Sequence, residues 1–410
     1  MDVEDARTIG ERARKIRCRR GLSLEVVGGL ARISGPYLSM LERGLRGFNR
    51  RGLIEDLADA LGCSVADLTG QPYLAVDRQS AVVSAAVTEI STALHDVTLE
   101  DVPDISARPM AQLTSAAALA LACVDDAGYG LAGQGLAALL VELHVHAVTG
   151  DSGTRHTALT ALVEACKVAY VLAKRTGRIE LAVIAAQRGL DAARLAERPD
   201  LVALMEVSRA KTLCGVGAHR RSRLACAEAL RDISALPGPT EHDTTTAEAC
   251  GMLHLTTALV AARDGRPGDA TTHLAEARSL AAHTGERNHL RYHFGPTNVA
   301  AWELSVAVEA GSGPVAAERL AAAPLDLAVF GSKGRAADVH FDLARAWAQA
   351  EGPRDGEAIR HLDQADRLAP VRIRNDPIAR DLVLTLDRRA PRRVWELDSL
   401  RHRFGVGRPV

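Results

Sequence analysis

Apolar residues in the first 70 positions recur at intervals of three and four, a spacing that predicts short amphipathic helices. Three residues with N-capping side chains precede such segments: Thr8, Ser23 and Ser34. Glu11, three residues after Thr8, would complete a capping box. The pattern predicts five helices, at about 8–19, 23–30, 34–43, 51–61 and 64–68.

The second and third of these helices are short and are joined by a tight turn within residues 22–44. Two helices in this arrangement form a helix-turn-helix, whose second helix enters the DNA major groove. Pro36 falls in the first turn of that second helix, where a missing N–H costs little. The layout therefore makes a DNA-binding regulator the leading hypothesis.

Positive charge is concentrated in the same segment. Residues 7–51 carry twelve Lys or Arg side chains and three acidic ones, whereas the whole chain has a net charge of −1. A basic patch confined to one segment is typical of phosphate contact. A solvated cationic face without a partner is the alternative, which the helix-turn-helix pattern disfavours.

Residues 8–70 resemble the phage-repressor-like (Cro-type, XRE) helix-turn-helix domain. The matching residues include Arg17, the segments 21–23, 33–34 and 38–39, Glu42, Gly44 and the segment 57–64. The resemblance implies a five-helix, lambda-repressor-like domain in which Arg17 and Glu42 form a structural ion pair. It also implies base contacts from Gly35, Pro36, Ser39 and Met40, and phosphate contacts from Arg43, Arg46, Asn49, Arg50 and Arg51.

Some of these positions depart from the family. Gly35 and Pro36 lack the side-chain groups that discriminate bases through paired hydrogen bonds. Met40 has an apolar side chain that can contact a thymine methyl group. Specificity is therefore expected to depend on Ser34, Tyr37, Ser39 and Arg46, on DNA shape and on dimer spacing.

The chain from Ala81 onward consists of successive predicted helices, after a connector at 71–80. A degenerate repeat places a Leu, followed three residues later by an Ala, on a helix that begins after a Gly- or Pro-containing break. The repeated leucines are Leu190, Leu224, Leu274, Leu320 and Leu362. Paired helices of this kind predict a tetratricopeptide-like α-solenoid. A plain helical bundle remains the alternative.

The order of the segments resembles actinobacterial regulators in which a Cro-type domain precedes a tetratricopeptide-like array. The segment 294–299, FGPTNV, is its most specific mark in the C-terminal part. The resemblance implies a DNA-binding domain at 1–70, a linker at 71–80 and a dimerisation and effector-sensing domain at 81–410. The implied partners are a double-stranded DNA operator, a second copy of the chain and a small-molecule or peptide effector.

The polar and aromatic cluster at 287–298 is the candidate effector site. The predicted effector-binding residues are Arg291, Tyr292, Phe294, Thr297, Asn298 and Trp302. An Asn in the first turn of a leading helix can bind a ligand amide through both its donor and its acceptor. The alternative is that Asn298 or Thr297 caps the helix after Pro296 and that the aromatic residues fill a loop.

Neither a catalytic residue nor a metal or cofactor site is predicted. His289 and His293 are four residues apart, but no matching ligand set accompanies them. The seven scattered cysteines predict a reduced, cytoplasmic protein, and the acidic start MDVEDAR is not expected to act as a signal peptide. The apolar run 131–148 is interrupted by polar residues, which predicts a buried helix.

The sequence thus predicts an all-α, homodimeric transcriptional regulator. A protein-interaction adaptor whose degenerate helix-turn-helix no longer reads DNA is the first alternative. An enzyme with an unrecognised helical active site is the second.

Overall fold

The computed structural model describes residues 8–75, 77–235 and 244–406, and every regular element in these ranges is helical. The acidic start at 1–7 lies outside them. We call residues 8–70 the head. Its helices are α1 (Ile9–Arg19), α2 (Leu24–Leu30), α3 (Gly35–Glu42), α4 (Arg51–Leu61) and α5 (Val65–Thr69). The predicted all-α class is confirmed for the described ranges.

The predicted caps begin the head's helices. The Thr8 hydroxyl accepts a hydrogen bond from the Glu11 N–H at 3.1 Å, and the Glu11 carboxylate accepts one from the Thr8 N–H at 3.1 Å. The hydroxyls of Ser23 and Ser34 accept from N–H groups in the first turns of α2 and α3. Because these bonds satisfy donors that a helix leaves unpaired, the helix starts agree with the sequence-based boundaries.

Four helices connect the head to the rest of the chain. They are α6 (Arg78–Asp96), α7 (Met110–Asp125), α8 (Tyr129–Gly133) and α9 (Leu136–Thr149). The helix predicted over 131–148 is divided, because Gly135 adopts a left-handed conformation with φ of 70°. Two stretches, 129–149 and 152–175, are long and apolar enough to cross a membrane. Half of the first apolar window and 72% of the second are buried, as in the core helices of a folded domain.

Ten further helices form five consecutive hairpins, which we call the array. They are α10 (Ser152–Arg175), α11 (Ile179–Leu195), α12 (Pro199–Gly215), α13 (His219–Ser234), α14 (Thr245–Arg263), α15 (Pro267–Thr284), α16 (Pro296–Ala310), α17 (Gly313–Ala322), α18 (Lys333–Ala348) and α19 (Asp355–Leu368). Each helix packs against the next, and the first helices of adjacent hairpins also pack together. This is the stacked arrangement of a solenoid.

Left-handed glycines close the first four hairpins. Gly177, Gly217, Gly265 and Gly311 have φ values of 79°, 81°, 69° and 84°. At the first of these turns the Arg178 N–H donates to the carbonyl five residues earlier, at 2.9 Å, and the other three repeat the bond. These bonds are those of a helix C-terminal Schellman motif, which requires a residue that tolerates positive φ.

The repeated Leu and Ala positions are only partly as predicted. Both members of the pair are fully buried on α11 and on α19. On α13 the prediction is wrong, because Leu224 is 39% exposed. That helix packs through the small residues Ala225, Cys226 and Ala229, which turns Leu224 outward. On α17 the buried residues are Gly313 and Ala317, and Leu320 is half-buried.

The last three described helices pack near the head. They are α20 (Pro370–Arg374), α21 (Pro377–Arg389) and α22 (Trp395–Phe404). Buried apolar residues of the head and of helices α16 to α22 form one continuous hydrophobic cluster. The head therefore packs on the array through a shared core as well as through polar contacts.

Candidate DNA-binding and ligand sites

Helix α3 lies on the outside of the head. It packs on α1 and α2 through Leu38 and Leu41, which are fully buried. Ser34 and Pro36 at its N-terminal end are exposed, as is Arg43 at its C-terminal end. Gly35, Tyr37, Ser39 and Met40 are half-buried. The predicted recognition face of α3 is therefore partly exposed to solvent.

The turn between α2 and α3 carries a residue unusual for its conformation. Arg32 has a φ of 56°, a left-handed conformation that glycine adopts at lower cost. Gly28 allows the chain to pass close by, since a Cβ there would lie 2.9 Å from the Ile33 carbonyl oxygen. The small residue at position 28 thus fixes the approach of α3 to α2.

Arg17 and Glu42 form a two-pronged ion pair between α1 and the end of α3. The Arg17 Nε and Nη2 atoms donate to the two Glu42 carboxylate oxygens at 2.6 and 2.7 Å. Arg17 also donates to the Leu22 carbonyl at 3.0 Å. The hydrogen bond to Glu42 raises the pKa of Arg17 although burial opposes it. The pair therefore fixes the orientation of α3 within the head.

The loop after α3 turns toward the array. Arg46 forms an ion pair with Glu351, and Arg51 forms one with Asp376. The Asn49 carbonyl accepts a hydrogen bond from Arg345 at 3.0 Å. Arg50 remains half-buried. Two of the arginines predicted to contact phosphates are thus paired with carboxylates of the C-terminal part: Arg46 with Glu351 of the array, and Arg51 with Asp376 in the turn before α21.

A carboxylate from the array caps α4. Glu309 on α16 accepts hydrogen bonds from the backbone N–H groups of Arg51 at 2.8 Å and Gly52 at 3.4 Å. The same carboxylate pairs with Arg345 at 2.7 Å and with Arg263 at 3.6 Å. Burial raises the pKa of Glu309, but the charges of Arg345 and then Arg263 outweigh it and lower that pKa to about 2. The array therefore supplies the anionic cap that α4 lacks in its own sequence.

A cavity of about 360 Å³ lies between the head and the array. One wall comes from α4 and α5 of the head, and the facing walls come from α10, α12, α14, α16 and α18. These five are the first helices of the hairpins, so the cavity lies on the inner side of the array. Its volume is in the range typical of small-molecule sites.

The predicted effector residues divide into two groups. Arg291, Tyr292, Asn298 and Trp302 line the cavity. Phe294 and Thr297 do not, and the structure places Phe294 elsewhere in the core. Its ring fills the space beside Gly251, where a Cβ would collide with it.

The amide of Asn298 is already used within the protein. Its Nδ2 donates to the Tyr292 carbonyl at 2.8 Å, and its Oδ1 accepts from Arg335 Nε at 2.8 Å. The alternative that Asn298 or Thr297 caps α16 is wrong, because the N-cap residue is Gly295 and no side chain caps the helix. Asn298 thus orients Arg335 toward the cavity.

Sequence reasoning missed the lysines around this cavity. The chain has five lysines against 45 arginines, yet Lys174 and Lys211 line the cavity, and Lys167 lies beside it, over the same Tyr292 ring as Lys211. Lys167 Nζ donates to the Leu290 and Arg291 carbonyls at 2.8 and 3.2 Å and lies 3.9 Å from the centre of the Tyr292 ring. The rarity of lysine was a signal in the sequence, but only the fold brings residues of α10 and α12 together.

The two histidines considered as metal ligands contact different groups. The His289 backbone N–H donates to Glu248 at 3.2 Å, and His293 Nε2 lies 3.4 Å from Asp125. In the described ranges, one group of possible metal ligands, Glu55, Cys214 and His219, has its donor atoms within 4.8 Å of one another. Arg263 lies 3.5 Å from the Glu55 carboxylate and already supplies a positive charge there.

Comparisons with known proteins concern mainly the head. Residues 8–69 match a family model described as a helix-turn-helix domain. Over 58 residues the chain is 47% identical to the HTH-type transcriptional regulator DdrOP3 of Deinococcus deserti. That match covers 14% of this chain and 44% of the relative, less than half of its length.

A solved structure is similar at low identity. It is the crystal structure of Bacillus thuringiensis PlcR in complex with the peptide PapR7 and DNA. The alignment has 12% sequence identity and a TM-score of 0.30, and it covers 84% of this chain and 96% of that chain. The actinobacterial affiliation inferred from the sequence stays a prediction. The capped helices, the Arg17–Glu42 pair and the family match identify residues 8–69 as a helix-turn-helix domain of the kind found in HTH-type transcriptional regulators.

Proposed function

We propose that this chain is a cytoplasmic, DNA-binding transcription regulator. In this proposal residues 1–70 bind a DNA duplex through α3, and residues 71–80 form a linker. Residues 81–410 dimerise and sense an effector. The outward face of α3 carries the DNA-binding part of the proposal, because Ser34, Pro36 and Arg43 are exposed at its two ends. The likeness of residues 8–69 to a helix-turn-helix domain supports the same function.

Base recognition by this helix would rest on few polar groups. Tyr37 and Ser39 offer hydroxyls on the half-buried part of the face, whereas Gly35 and Pro36 offer none. The Ser34 hydroxyl is engaged in capping α3 at 3.3 Å. We therefore propose that DNA shape and the spacing of two heads contribute much of the specificity.

Phosphate contacts depend on how the head is held. Arg43 is exposed and its Nε donates only to the Ser39 carbonyl, at 3.2 Å, so its remaining donors face solvent. Arg46 and Arg51 are paired with Glu351 and Asp376. A head that stays packed on the array is therefore expected to bind DNA through fewer cations than a head that separates from it. Each lost phosphate contact reduces the slope of log K against log salt by about 0.9.

The test is selection from a random-sequence duplex library, followed by titration of the selected DNA at several salt concentrations. A regulator should enrich a defined motif and lose affinity steeply as salt rises. Arg43→Ala should weaken binding and reduce the salt slope by about one. Arg360→Ala is the matched control, since Arg360 is an exposed, ion-paired arginine on α19. Equal effects of the two changes would contradict the assignment of α3.

Dimerisation belongs to the same proposal. Two heads that occupy successive major grooves must lie about 34 Å apart, so a dimer should select half-sites about 10 base pairs apart. Sedimentation of the full chain measures the assembly directly. A monomer that stays monomeric on the selected DNA would remove this part of the proposal.

The adaptor is the second candidate, because carboxylates of the C-terminal part, Glu351 and Asp376, pair with Arg46 and Arg51. An adaptor would select no motif and would bind duplexes weakly, with no effect of Arg43→Ala. The same titrations therefore distinguish it from a regulator.

A further inference from the structure

The cavity between the head and the array holds more positive than negative side chains. Nine Lys or Arg residues and six Asp or Glu residues line it. Six of the arginines lie within 4 Å of a carboxylate, in the pairs Arg51–Asp376, Arg175–Asp338, Arg263–Glu55, Arg291–Asp125, Arg345–Glu309 and Arg372–Asp338. In the described part of the chain, Lys174, Lys211 and Arg335 have no such partner.

These three cations have only neutral neighbours as direct contacts. Lys211 Nζ lies 4.4 Å from the centre of the Trp302 ring and 5.3 Å from that of Tyr292. Lys174 Nζ donates to the Tyr170 hydroxyl at 3.2 Å. Arg335 donates through Nε to Asn298, while its buried Nη2 has no hydrogen-bond partner among the described residues.

This arrangement is costly in an empty cavity. Burial, followed by the charge of Arg335, lowers the pKa of Lys211 to about 7. Burial, followed by the charge of Lys211, lowers the pKa of Lys174 well below its ordinary range. Like charges held together away from water destabilise the fold unless a counter-ion accompanies them. A bound anion would supply that missing charge.

Aromatic side chains are concentrated around the cavity. The sequence contains thirteen Phe, Trp and Tyr residues, and five of them line this one cavity. They are Tyr129, Tyr170, Tyr292, Trp302 and Phe341. Flat aromatic surfaces around a few convergent polar groups are typical of sites for small organic ligands. A purely inorganic anion would leave these surfaces unused.

We propose that the cavity binds an organic anion in which a carboxylate or phosphate group is joined to a flat apolar part. The anionic group pairs with Lys174, Lys211 and Arg335, and the flat part lies among the aromatic side chains. This identifies the effector class for the sensing role proposed above, and it rests on that role. Because Arg51 and Glu55 of α4 belong to the wall, the cavity borders the helix of the head that Glu309 of the array caps.

The experiment measures binding to the full chain by calorimetry and by thermal unfolding, without DNA. The probes are 2-naphthoate, 2-naphthyl phosphate, inorganic phosphate and the neutral 2-naphthamide. At least one naphthyl anion should bind and raise Tm, more tightly than inorganic phosphate, whereas the amide should not. The carboxylate and phosphate arms show which anionic group the three cations prefer.

Variants link the binding to the cavity. Lys211→Met should weaken binding of the naphthyl anion about 10- to 100-fold, which is the loss expected for one charge-assisted hydrogen bond. Lys333→Met is the matched control, since Lys333 is exposed and pairs with Asp126. Lys211→Arg should retain binding, and Lys174→Met provides a second loss variant should Lys211→Met not fold.

Three results would overturn the inference. They are no binding of either naphthyl anion at about 1 mM, equal binding of the amide, or unchanged binding in both lysine-to-methionine variants. Because the ligand titration contains no DNA, ligand binding can still be measured and interpreted if the chain proves not to bind DNA. If the chain binds the anions but selects no DNA motif, the cavity is an anion site but not the effector site of a transcription regulator.

Discussion

Replacing Glu309 by alanine should loosen the head from the array. The Glu309 side chain is 1% exposed and accepts from two backbone N–H groups of α4 and from Arg345. Its removal leaves Arg345, with a side chain 4% exposed, without its closest anion and leaves the first turn of α4 uncapped. Breaking one side of a buried ion pair costs about 3–5 kcal/mol. Loss of a cap contributes about 1 kcal/mol.

A conservative substitution of Glu309 should also lower the free energy of unfolding, but by less than alanine does. Glu309→Gln keeps the size and an acceptor but removes the charge, so the loss should be smaller than for alanine. The pKa of Glu309 is about 2 in the folded chain, below its ordinary value of 4.5. Its contribution to stability is therefore complete above pH 4.5 and is lost as the pH falls from 4.5 toward 2. Between pH 4.5 and 2 the unchanged chain should lose this contribution to stability, whereas Glu309→Ala and Glu309→Gln, which lack the carboxylate, should not.

The assays are urea unfolding monitored by far-UV circular dichroism, and limited proteolysis of the part of the connector that precedes α6, residues 71–77. The alanine variant should unfold at lower urea and be cleaved faster. Glu303→Ala is the matched control on the same helix, because Glu303 is 37% exposed and forms a surface pair worth at most about 1 kcal/mol. Equal unfolding free energies for the two variants, with unchanged cleavage, would refute the role assigned to Glu309.

Three further predictions concern the head, a histidine pair and the cavity. Gly10→Ala should destabilise the head by about 3 kcal/mol or more in urea unfolding, because its Cβ would collide with the backbone of α3, whereas Gly29→Ala, which meets open space, should be neutral or stabilising. His254 and His273 lie 2.9 Å apart, and burial followed by the charge of His273 lowers the pKa of His254 to about 4. Stability should therefore fall as the pH drops from 6.5 toward 4, and His273→Gln should flatten this part of a Tm-against-pH profile. Lys211→Met should raise Tm at neutral and lower pH, since it removes a buried charge that the empty cavity does not compensate; an unchanged Tm would count against the unpaired state of that lysine.

Binding of the anionic probes should also depend on pH. Burial lowers the pKa of Lys211 to about 7, and anion binding favours its charged form, so affinity should fall as the pH rises through 7. The charged groups that act on Lys211 are Arg335, Asp338, Arg175 and Lys167, and it faces the neutral rings of Tyr292 and Trp302. Among these, Lys167 also has a pKa lowered to about 7, chiefly by burial. Calorimetry from pH 6 to 9 measures the trend, and an affinity independent of pH would contradict it.

The head was largely predictable because its determinants are local. A cap and the donor it satisfies lie three residues apart, as Thr8 and Glu11 do, and the apolar spacing marks each buried face. The array was predictable as an order of hairpins but not in its packing. On α13 small residues occupy the contact and Leu224 turns outward, because the inner face depends on which neighbour packs against it.

The candidate ligand site was predictable only in part, for the same reason. Tyr292 and Trp302 were recognisable because aromatic residues are rare in this chain, and both line the cavity. Phe294 shares that rarity but is buried in the core. Nothing in the local sequence distinguishes a ring that lines a cavity from one that fills the core, since the difference depends on neighbours distant along the chain.

The sequence alone determined which segments are helical, where the helices of the head begin, and that α3 follows α2 in a helix-turn-helix. These features depend on contacts within one or two turns of chain. Only the tertiary structure decided that Glu351 and Asp376 pair with Arg46 and Arg51, that Glu309 caps a helix 258 residues away, and that three basic side chains without a carboxylate partner share one cavity. Such contacts depend on burial and on charges from separate helices, and these become neighbours only when the chain folds back on itself.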